Sequence, residues 1–228
     1  MKPIILFDCL WTLVYKKDLA KTIQKFFQHV LKRRISITTI EHALFILYER
    51  RKFSHPHFKS PTDRVDYFIQ YNQELAALLG ITLHSEQARD LNTRLRTLSY
   101  TVYSDVKPAL RSCKKVGYQL GVIANWTETL EDVLTQTQLK YFFDGIYSSQ
   151  SLKIAKPNPR IFTKALRSIS HGTTSKIYYV GDDYELDCAP ARQAGLNPIL
   201  IDRMDRYTNA ADCPRVQKLT ELFQYIRE

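Results

Sequence analysis

The sequence is poor in glycine and proline and contains no long apolar run. Only 7 glycines and 9 prolines occur in 228 residues, which argues against a disordered or fibrous chain. No apolar stretch approaches the roughly 18 residues that a membrane span requires. The residues before Asp8 are too few for a signal peptide. We therefore expect no membrane association and a cytoplasmic location.

Cysteine is also scarce. The four cysteines are Cys9, Cys113, Cys188 and Cys213, and no two of them share a CxxC spacing. This spacing disfavours a zinc site or a redox pair. Cys9 stands beside Asp8 and could be a reactive thiol, but a small buried residue in a turn is the favoured interpretation.

Acidic residues are outnumbered, and the formal net charge is +10. Such an excess indicates an anionic partner, which could be nucleic acid, an acidic membrane surface or a phosphorylated substrate. No zinc-finger, KH or RRM signature accompanies the charge. Nucleic acid therefore stays open as a partner but is disfavoured, and we expect a small phosphorylated substrate.

Residues 16–100 are predicted to be helical, because their apolar residues recur at three- and four-residue steps. Four helices with short links fit this segment. Thr38 and Glu41 suggest a capping box for the second helix, and Pro61 could open the third. Gly80 could end the third helix, and Ser85 could cap the fourth.

After residue 100 the pattern becomes an alternation of helices and short apolar strands, which predicts βα units and a mostly parallel sheet. The hydrophobic fraction of 44% is enough for a sizeable core. The predicted fold class is therefore α/β, with a Rossmann-like parallel-sheet core formed by residues 1–15 and 101–228. An α-helical cap domain, residues 16–100, interrupts this core.

The first strand is predicted from the apolar run of residues 3–7, which ends abruptly at Asp8. An acid in this position lies at the carboxyl edge of the sheet, where open α/β folds bind their ligands. A carboxylate there could be a nucleophile, a metal ligand or a helix cap. We interpret Asp8 as both nucleophile and metal ligand.

Polar side chains also follow other predicted strands. Their positions are Thr12 in the first turn, Asn125 after the second strand, Lys156 on a loop before a helix, and Asp182, Asp183 and Asp187 after the fourth strand. Since the carboxyl ends of parallel strands share one edge, these side chains are expected to converge.

Such a cluster favours a particular chemistry. Carboxylates that are brought together repel one another unless one protonates or a cation joins them. Oxygen ligands favour Mg²⁺ over zinc, and a lysine would offset the charge of the acids and of an anionic substrate. Backbone N–H groups in the turn after Asp8 could hold a phosphate. The pattern suggests attack by a carboxylate on a phosphate ester through an aspartyl-phosphate.

Four stretches in order resemble the motifs of the haloacid dehalogenase-like (HAD) hydrolase superfamily. They are FDCLWTL at 7–13, GVIAN at 121–125, KPNPRIF at 156–162 and VGDDYELD at 180–187. The last stretch is similar to the branch named after a rhythmically expressed gene product. The helical insert resembles the C1-type cap of the superfamily.

The resemblance implies a role for each matching residue. Asp8 would be the nucleophile and a Mg²⁺ ligand, and Lys156 would steady Asp8 and the phosphate. Thr12 would support the loop, and Asn125 would offer its backbone N–H to the phosphate. Trp11 could contact substrate or pack as a lid, and Asp187 could instead cap the following helix. The further metal ligands would be the Leu10 carbonyl and Asp182, with Asp183 or Asp187 supporting metal-bound water.

Three positions depart from the pattern of the superfamily's phosphatases. Leu10 stands where a second aspartate usually acts as general acid and base, a function typically worth roughly 10²–10⁴-fold in rate. Trp11 replaces the usual glycine, and Ala124 replaces the usual Ser or Thr, which removes one donor to the phosphate.

Three functions remain compatible with these residues. The first is a Mg²⁺-dependent phosphatase of reduced or unusual activity whose base comes from elsewhere. Its candidate bases are His29, His42, His55 and His57. The second is a non-catalytic member that binds a phosphorylated partner or nucleic acid. The third is a 2-haloacid dehalogenase. Two observations disfavour it: Asp182 and Asp183 match the metal-binding form of the last motif, and Phe162 stands where dehalogenases usually carry Tyr.

Overall fold

The computed structural model describes residues 3–54, 58, 60–126, 130–169, 176–207 and 212–226. The chain divides into two compact units, one formed by residues 1–15 and 100–228 and the other by residues 16–99. We call them the core unit and the helical unit. Among the described residues, no helix has the length and apolar character needed to cross a membrane.

Six parallel strands form the sheet of the core unit, as the alternating pattern predicts. The strands of the chain are β1 (Ile4–Phe7), β2 (Val14–Lys16), β3 (Tyr100–Val102), β4 (Gln119–Ala124), β5 (Gly145–Ser148), β6 (Ile177–Gly181), β7 (Asn197–Ile201) and β8 (Arg215–Val216). The order in the sheet is β5-β4-β1-β6-β7-β8, and β2 pairs with β3 apart from it. The first strand is therefore central, which explains its complete burial.

The helices include the four predicted for residues 16–100 and others that alternate with the strands of the core unit. They are α1 (Leu19–Val30), α2 (Ile37–Arg51), α3 (Pro61–Leu78), α4 (Ser85–Arg96), α5 (Val106–Val116), α6 (Leu130–Gln136), α7 (Ser149–Leu152), α8 (Arg160–Ile169) and α9 (Ala189–Gln193). A 3-10 helix, Leu219–Gln224, follows the last strand. The strand Arg215–Val216 was not predicted, because two residues are too few to show an alternation.

Strand β1 separates two apolar layers. Ile5 and Phe7 belong to one buried cluster, together with residues of α5 and α6. Ile4 and Leu6 point to the other face and pack in a cluster with residues of α8. This explains why the first strand is apolar at every position rather than at alternate ones.

The helical unit consists of α1 to α4 and has its own apolar cluster, in which Ile23, Phe27 and Leu47 are fully buried. The predicted capping box of Thr38 and Glu41 is wrong. The side chain of Ser36 caps α2, because its Oγ accepts the N–H of Thr39 at 3.0 Å.

The fourth helix starts at the predicted place with a different cap. Helix α4 begins at Ser85, so the preceding residue, His84, is its N-cap. Gln87 accepts the backbone N–H of His84 at 3.0 Å, which satisfies a donor at the start of the helix.

The register of the sheet determines which residues meet at its carboxyl edge. Phe7 lies opposite Val122 of β4 and Val180 of β6. The residues that follow these strands therefore emerge at one edge, on either side of Asp8. This edge is where the polar residues of the sequence motifs lie.

Candidate active site

Asp8 emerges from β1 into a tight turn. Its backbone N–H donates to the Val180 carbonyl at 2.8 Å, so the strand pairing extends to this residue. In the turn, the N–H groups of Leu13 and Val14 both donate to the Cys9 carbonyl, at 2.9 and 3.0 Å. The carboxylate of Asp8 is thereby placed at the sheet edge while its backbone is fixed from both sides.

Trp11 occupies a left-handed position in this turn, with φ of 64°. Its N–H donates to the Val14 carbonyl at 2.7 Å. A bulky residue is rare in this region of φ, which glycine occupies readily. The backbone at this position therefore has a shape that glycine would adopt more readily, and the tryptophan side chain is half-buried.

Lys156 is the centre of the site. Its Nζ lies 2.6 Å from Asp8 Oδ1, 2.6 Å from Asp187 Oδ1 and 3.0 Å from the Tyr179 hydroxyl. The Lys156 side chain is only 3% exposed. An ammonium has three protons to donate, and here three acceptors surround it. Although burial alone would lower it, Asp187 and Asp8 hold the pKa of Lys156 well above its usual range.

The side chain of Asn125 positions the Lys156 loop. Asn125 Nδ2 donates to the Lys156 carbonyl at 2.9 Å, and Asn125 Oδ1 accepts the Lys156 N–H at 2.9 Å. This pair of hydrogen bonds ties the end of β4 to a loop 31 residues further along the chain. The predicted role of Asn125, a backbone N–H offered to phosphate, stays a prediction.

Tyr179 is a member of the site that sequence reasoning missed. Its hydroxyl lies 3.0 Å from Lys156 Nζ, 3.0 Å from the Ile123 carbonyl and 3.1 Å from Asp187 Oδ1. Burial and the neighbouring Asp187 raise the pKa of Tyr179, so the phenol is neutral. The available signal was a pair of hydroxyl-bearing side chains, Tyr178 and Tyr179, in a strand that ends at the acidic motif, although the sequence does not tell which of the two faces the site.

The acidic turn after β6 brings Asp187 back toward the sheet edge. Asp187 Oδ2 accepts the backbone N–H of Asp183 at 3.0 Å, while its other oxygen faces Lys156. Asp183 itself acts as the cap of the turn, because its Oδ1 accepts the N–H groups of Glu185 and Leu186 at 2.9 Å. The carboxylate of Asp187 thus lies at the site, and that of Asp183 stabilises the backbone.

Asp182 pairs with an arginine that the sequence motifs do not include. Arg206 Nη2 lies 3.2 Å from Asp182 Oδ2. Arg206 belongs to the loop after β7, whose end also reaches the carboxyl edge of the sheet. Applying the edge rule to this strand as well would have identified the loop as part of the site.

Three carboxylates could share a cation. Oxygens of Asp8, Asp182 and Asp187 all lie within 4.8 Å of one another, and all three residues are buried. Burial raises the pKa of Asp8 to about 6, against the opposing attraction of Lys156. Burial and the charge of Asp8 also raise the pKa of Asp182 well above its usual range.

These carboxylates fit a divalent ion by their chemistry. Three carboxylates face one ammonium, that of Lys156, and one partly exposed guanidinium, that of Arg206, so the two protein cations leave one negative charge unbalanced. Oxygen ligands of this kind suit Mg²⁺. The Leu10 carbonyl, which we predict as a further ligand, lies in the same turn as Asp8, where Leu10 forms a bridge with Val14.

Thr12 is buried in the same turn. Among the residues that the structure describes, its hydroxyl has no hydrogen-bond partner. Its backbone carbonyl accepts a hydrogen bond from Arg203 Nη2 at 2.8 Å, and Arg203 in turn pairs with Asp105 at 3.0 Å. Thr12 therefore holds the turn through its backbone. An unpaired buried hydroxyl is uncommon and is consistent with a site that accepts a polar ligand.

Leu10 and Ala124, two of the core-unit positions that depart from the motif pattern, have apolar side chains and cannot donate a proton. The side chain of Leu10 packs against the apolar cluster of the core, and Ala124 is buried at the end of β4. Of the candidate bases, His29 lies on α1, where its Nδ1 contacts the Lys25 carbonyl at 2.8 Å, and His42 lies on α2. The other two candidates, His55 and His57, lie outside the described residues.

Comparison with known proteins finds a matching family model and several similar proteins. A family model described as haloacid dehalogenase-like hydrolase matches residues 5–201. Haloacid dehalogenase-like hydrolase domain-containing protein 3 of Danio rerio is 33% identical over 127 residues, which are 54% of this chain and 52% of that protein. A glyceraldehyde 3-phosphate phosphatase of Methanopyrus kandleri is 28% identical over 134 residues, which are 55% of this chain and 57% of that protein. The chain thus spans about half the length of these two curated relatives.

The fold is shared with solved structures. A crystal structure of an L-2-haloacid dehalogenase matches with a TM-score of 0.73 at 18% identity, and it covers 100% of this chain and 99% of that chain. At this identity the match concerns the fold alone. The parallel six-stranded sheet with its helices is therefore an architecture that hydrolases of this kind use.

Proposed function

Because this chain belongs to the haloacid dehalogenase-like hydrolase family, we propose that it is a Mg²⁺-dependent phosphatase that acts on a small phosphorylated substrate. The observation that carries the proposal is the cluster at the sheet edge. Lys156 contacts Asp8 and Asp187 at 2.6 Å, and Asp182 completes a group of three buried carboxylates. The phosphatase from Methanopyrus kandleri among the relatives supports a phosphate ester as substrate.

In the proposed reaction, the carboxylate of Asp8 attacks phosphorus, the bond to the ester oxygen breaks, and an aspartyl-phosphate forms. Water then hydrolyses this intermediate and restores Asp8. Lys156 keeps Asp8 ionised and in place, and it adds positive charge next to the phosphoryl oxygens. Asn125 keeps the Lys156 loop in position through its two hydrogen bonds.

Asp8, Asp182 and Asp187, with the Leu10 carbonyl, would hold the ion. A bound Mg²⁺ would neutralise charge on the phosphoryl oxygens and orient the ester. Asp183 would act indirectly, since one of its carboxylate oxygens, Oδ1, accepts the N–H groups of Glu185 and Leu186.

The proposed activity is slow compared with that of phosphatases that have an acid at the position of Leu10. Leucine cannot protonate the leaving oxygen, and general acid–base catalysis typically contributes roughly 10²–10⁴-fold. Substrates with good leaving groups, such as aryl phosphates, need less of this help. We therefore expect faster turnover of aryl phosphates than of alkyl phosphates.

The helical unit, residues 16–99, is proposed to act as a cap of the C1 type, and the chain to belong to the branch named after a rhythmically expressed gene product. The cap would choose the substrate, and its excess of basic residues favours an anionic one. A second candidate function is binding without turnover. The specific observation that favours it is the apolar packing of Leu10 at the acid/base position.

The proposal is tested by a Mg²⁺-supplemented screen of phosphate monoesters with wild-type protein and an Asp8→Asn variant. We expect Mg²⁺-dependent release of phosphate by the wild type and none by the variant, because an amide cannot form the aspartyl-phosphate. A haloacid substrate with detection of released halide serves as a parallel assay for dehalogenase activity.

The matched control is Asp144→Asn, which removes an exposed carboxylate elsewhere in the core unit that pairs with Lys114 at 2.7 Å. It should keep wild-type turnover. Equal turnover by Asp8→Asn and wild type would remove the nucleophile assignment. No turnover by wild type on any ester would favour the binding function instead.

A further inference from the structure

Arg206 places a second cation in the acidic cluster. The ammonium of Lys156 contacts Asp8 and Asp187, and its described contacts do not include Asp182. The guanidinium of Arg206 lies 3.2 Å from the carboxylate of Asp182. Two protein cations therefore neutralise different acids of the cluster: the buried Lys156 contacts Asp8 and Asp187, and the partly exposed Arg206 contacts Asp182.

The backbone of Arg206 is held firmly. Its N–H donates to Asp202 Oδ1 at 2.8 Å, and the N–H of Tyr207 donates to Asp202 Oδ2 at 2.8 Å. Asp202 is completely buried, and Arg215 also pairs with it, at 2.9 Å. Asp202 thus anchors the loop after β7, so the position of Arg206 near the site is built into the fold.

The guanidinium itself is far less enclosed than its backbone anchor. The Arg206 side chain is 27% exposed, whereas that of Lys156 is 3% exposed. Because the guanidinium is partly exposed, water can take up its charge when another cation replaces it at the buried carboxylate of Asp182. Lys156 has no such route, because its three acceptors enclose it. Of these two cations, Arg206 is therefore the one that can leave the acids.

We propose that Arg206 is the resident counter-ion of Asp182, and that a divalent cation must compete with its guanidinium to bind between Asp8, Asp182 and Asp187. The inference rests on the proposed function only in taking these three carboxylates as cation ligands. Two cations drawn to one carboxylate repel each other strongly at short range. The affinity of the site for Mg²⁺ is then set by this competition, and Arg206 offsets the charge of Asp182 when Mg²⁺ is scarce.

The test measures Mg²⁺ binding by calorimetry and thermal shift in wild type and Arg206→Gln, with no substrate present. We expect Arg206→Gln to bind Mg²⁺ about tenfold more tightly or better, since a unit charge next to the divalent ion is removed. In EDTA the same variant should melt at a lower temperature than wild type, because Asp182 loses its counter-ion.

Two further variants test whether the Mg²⁺ affinity depends on the positive charge at position 206 rather than on the shape of that side chain or on the net charge of the protein. Arg206→Lys keeps a cation in place and should bind Mg²⁺ as wild type does. Arg192→Gln removes an arginine of the same unit that pairs with the exposed Asp212, and should leave the Mg²⁺ affinity unchanged. Circular dichroism establishes that each variant is folded.

Equal or weaker Mg²⁺ binding by Arg206→Gln would overturn the proposal, as would equal tightening in Arg206→Lys. Absence of Mg²⁺ binding in both wild type and Arg206→Gln would overturn it too. These outcomes are independent of turnover. Tighter Mg²⁺ binding by Arg206→Gln in a protein that hydrolyses no ester would uphold the competition and overturn the proposed phosphatase activity. Ester hydrolysis by wild type without tighter Mg²⁺ binding by Arg206→Gln would uphold the phosphatase activity and overturn the competition.

Discussion

At the scale of the residue, the turn after β1 has an unusual backbone conformation at one position and an apolar, packed side chain at the position before it. Trp11 adopts a left-handed conformation that usually belongs to glycine, and Leu10 uses its side chain for packing. A left-handed conformation costs a non-glycine residue about 1–2 kcal/mol. The turn therefore presents Asp8 with two bulky side chains, those of Leu10 and Trp11, close to it in the chain.

The change of Leu10 to aspartate tests what the missing acid costs. Leu10→Asp should increase turnover of alkyl phosphates by about 10²-fold or more if proton transfer alone is missing. It should also lower the free energy of unfolding by about 1–2 kcal/mol, because half-buried apolar surface is lost. Steady-state kinetics and denaturant unfolding measure the two effects.

Leu10→Asn is the matched control for that change, since it has a similar shape and polarity but cannot transfer a proton. It should show the same loss of stability without the gain in rate. A rate gain common to both variants, or to neither, would mean that the absence of an acid at position 10 does not limit the reaction.

At the scale of the element, strand β6 and the turn after it depend on one glycine. A methyl group at Gly181 would overlap the carboxylate of Asp187, which needs this space to reach Lys156. Gly121 in β4 is equally restricted, but there a methyl group would meet the side chains of Leu6 and Ile169 at 2.7 and 2.9 Å. The first restriction concerns the site, and the second concerns the core.

The pair of variants Gly181→Ala and Gly121→Ala separates these two effects. Both should lose about 1–3 kcal/mol of stability through overpacking. Only Gly181→Ala should lose the stabilisation by Mg²⁺, because Asp187 is displaced from the cluster. Thermal unfolding with and without Mg²⁺ measures this, and a preserved Mg²⁺ shift in Gly181→Ala would contradict the assignment of Asp187 as a ligand.

At the scale of the whole molecule, each of the two units has buried apolar residues of its own among those that the structure describes. Those of the core unit lie on both faces of the sheet, and those of the helical unit lie among α1 to α4. The acids of the site all belong to the core unit. Cation binding should therefore stabilise one unit rather than the whole chain.

Calorimetric unfolding should show two transitions, of which Mg²⁺ moves only one. At 100 times its dissociation constant, an ion that binds only the native state stabilises by about 2.7 kcal/mol. For a unit of this size, that corresponds to an increase in Tm of about 5–10 °C. Asp182→Asn should abolish the shift. A single transition, or an equal shift of both, would contradict this independence.

The sequence by itself determined the α/β class and the order of the motifs. The period of apolar residues depends on local geometry, so the strands β1, β4, β6 and β7 could be located without coordinates. The edge rule then brought Asp8, Lys156 and the acids after β6 together, as the structure does. Caps and the shortest elements were less predictable, because several polar residues near a helix start can compete to cap it.

Only the tertiary structure decided how the charges of the site are distributed. That Lys156 faces Asp8, Asp187 and Tyr179, while Asp182 turns to Arg206, depends on the register of parallel strands and on loops far apart in the chain. No local pattern encodes such distances. The reason is physical: a buried charge must find its partner in space, and the chain positions of the two partners do not reveal that they meet.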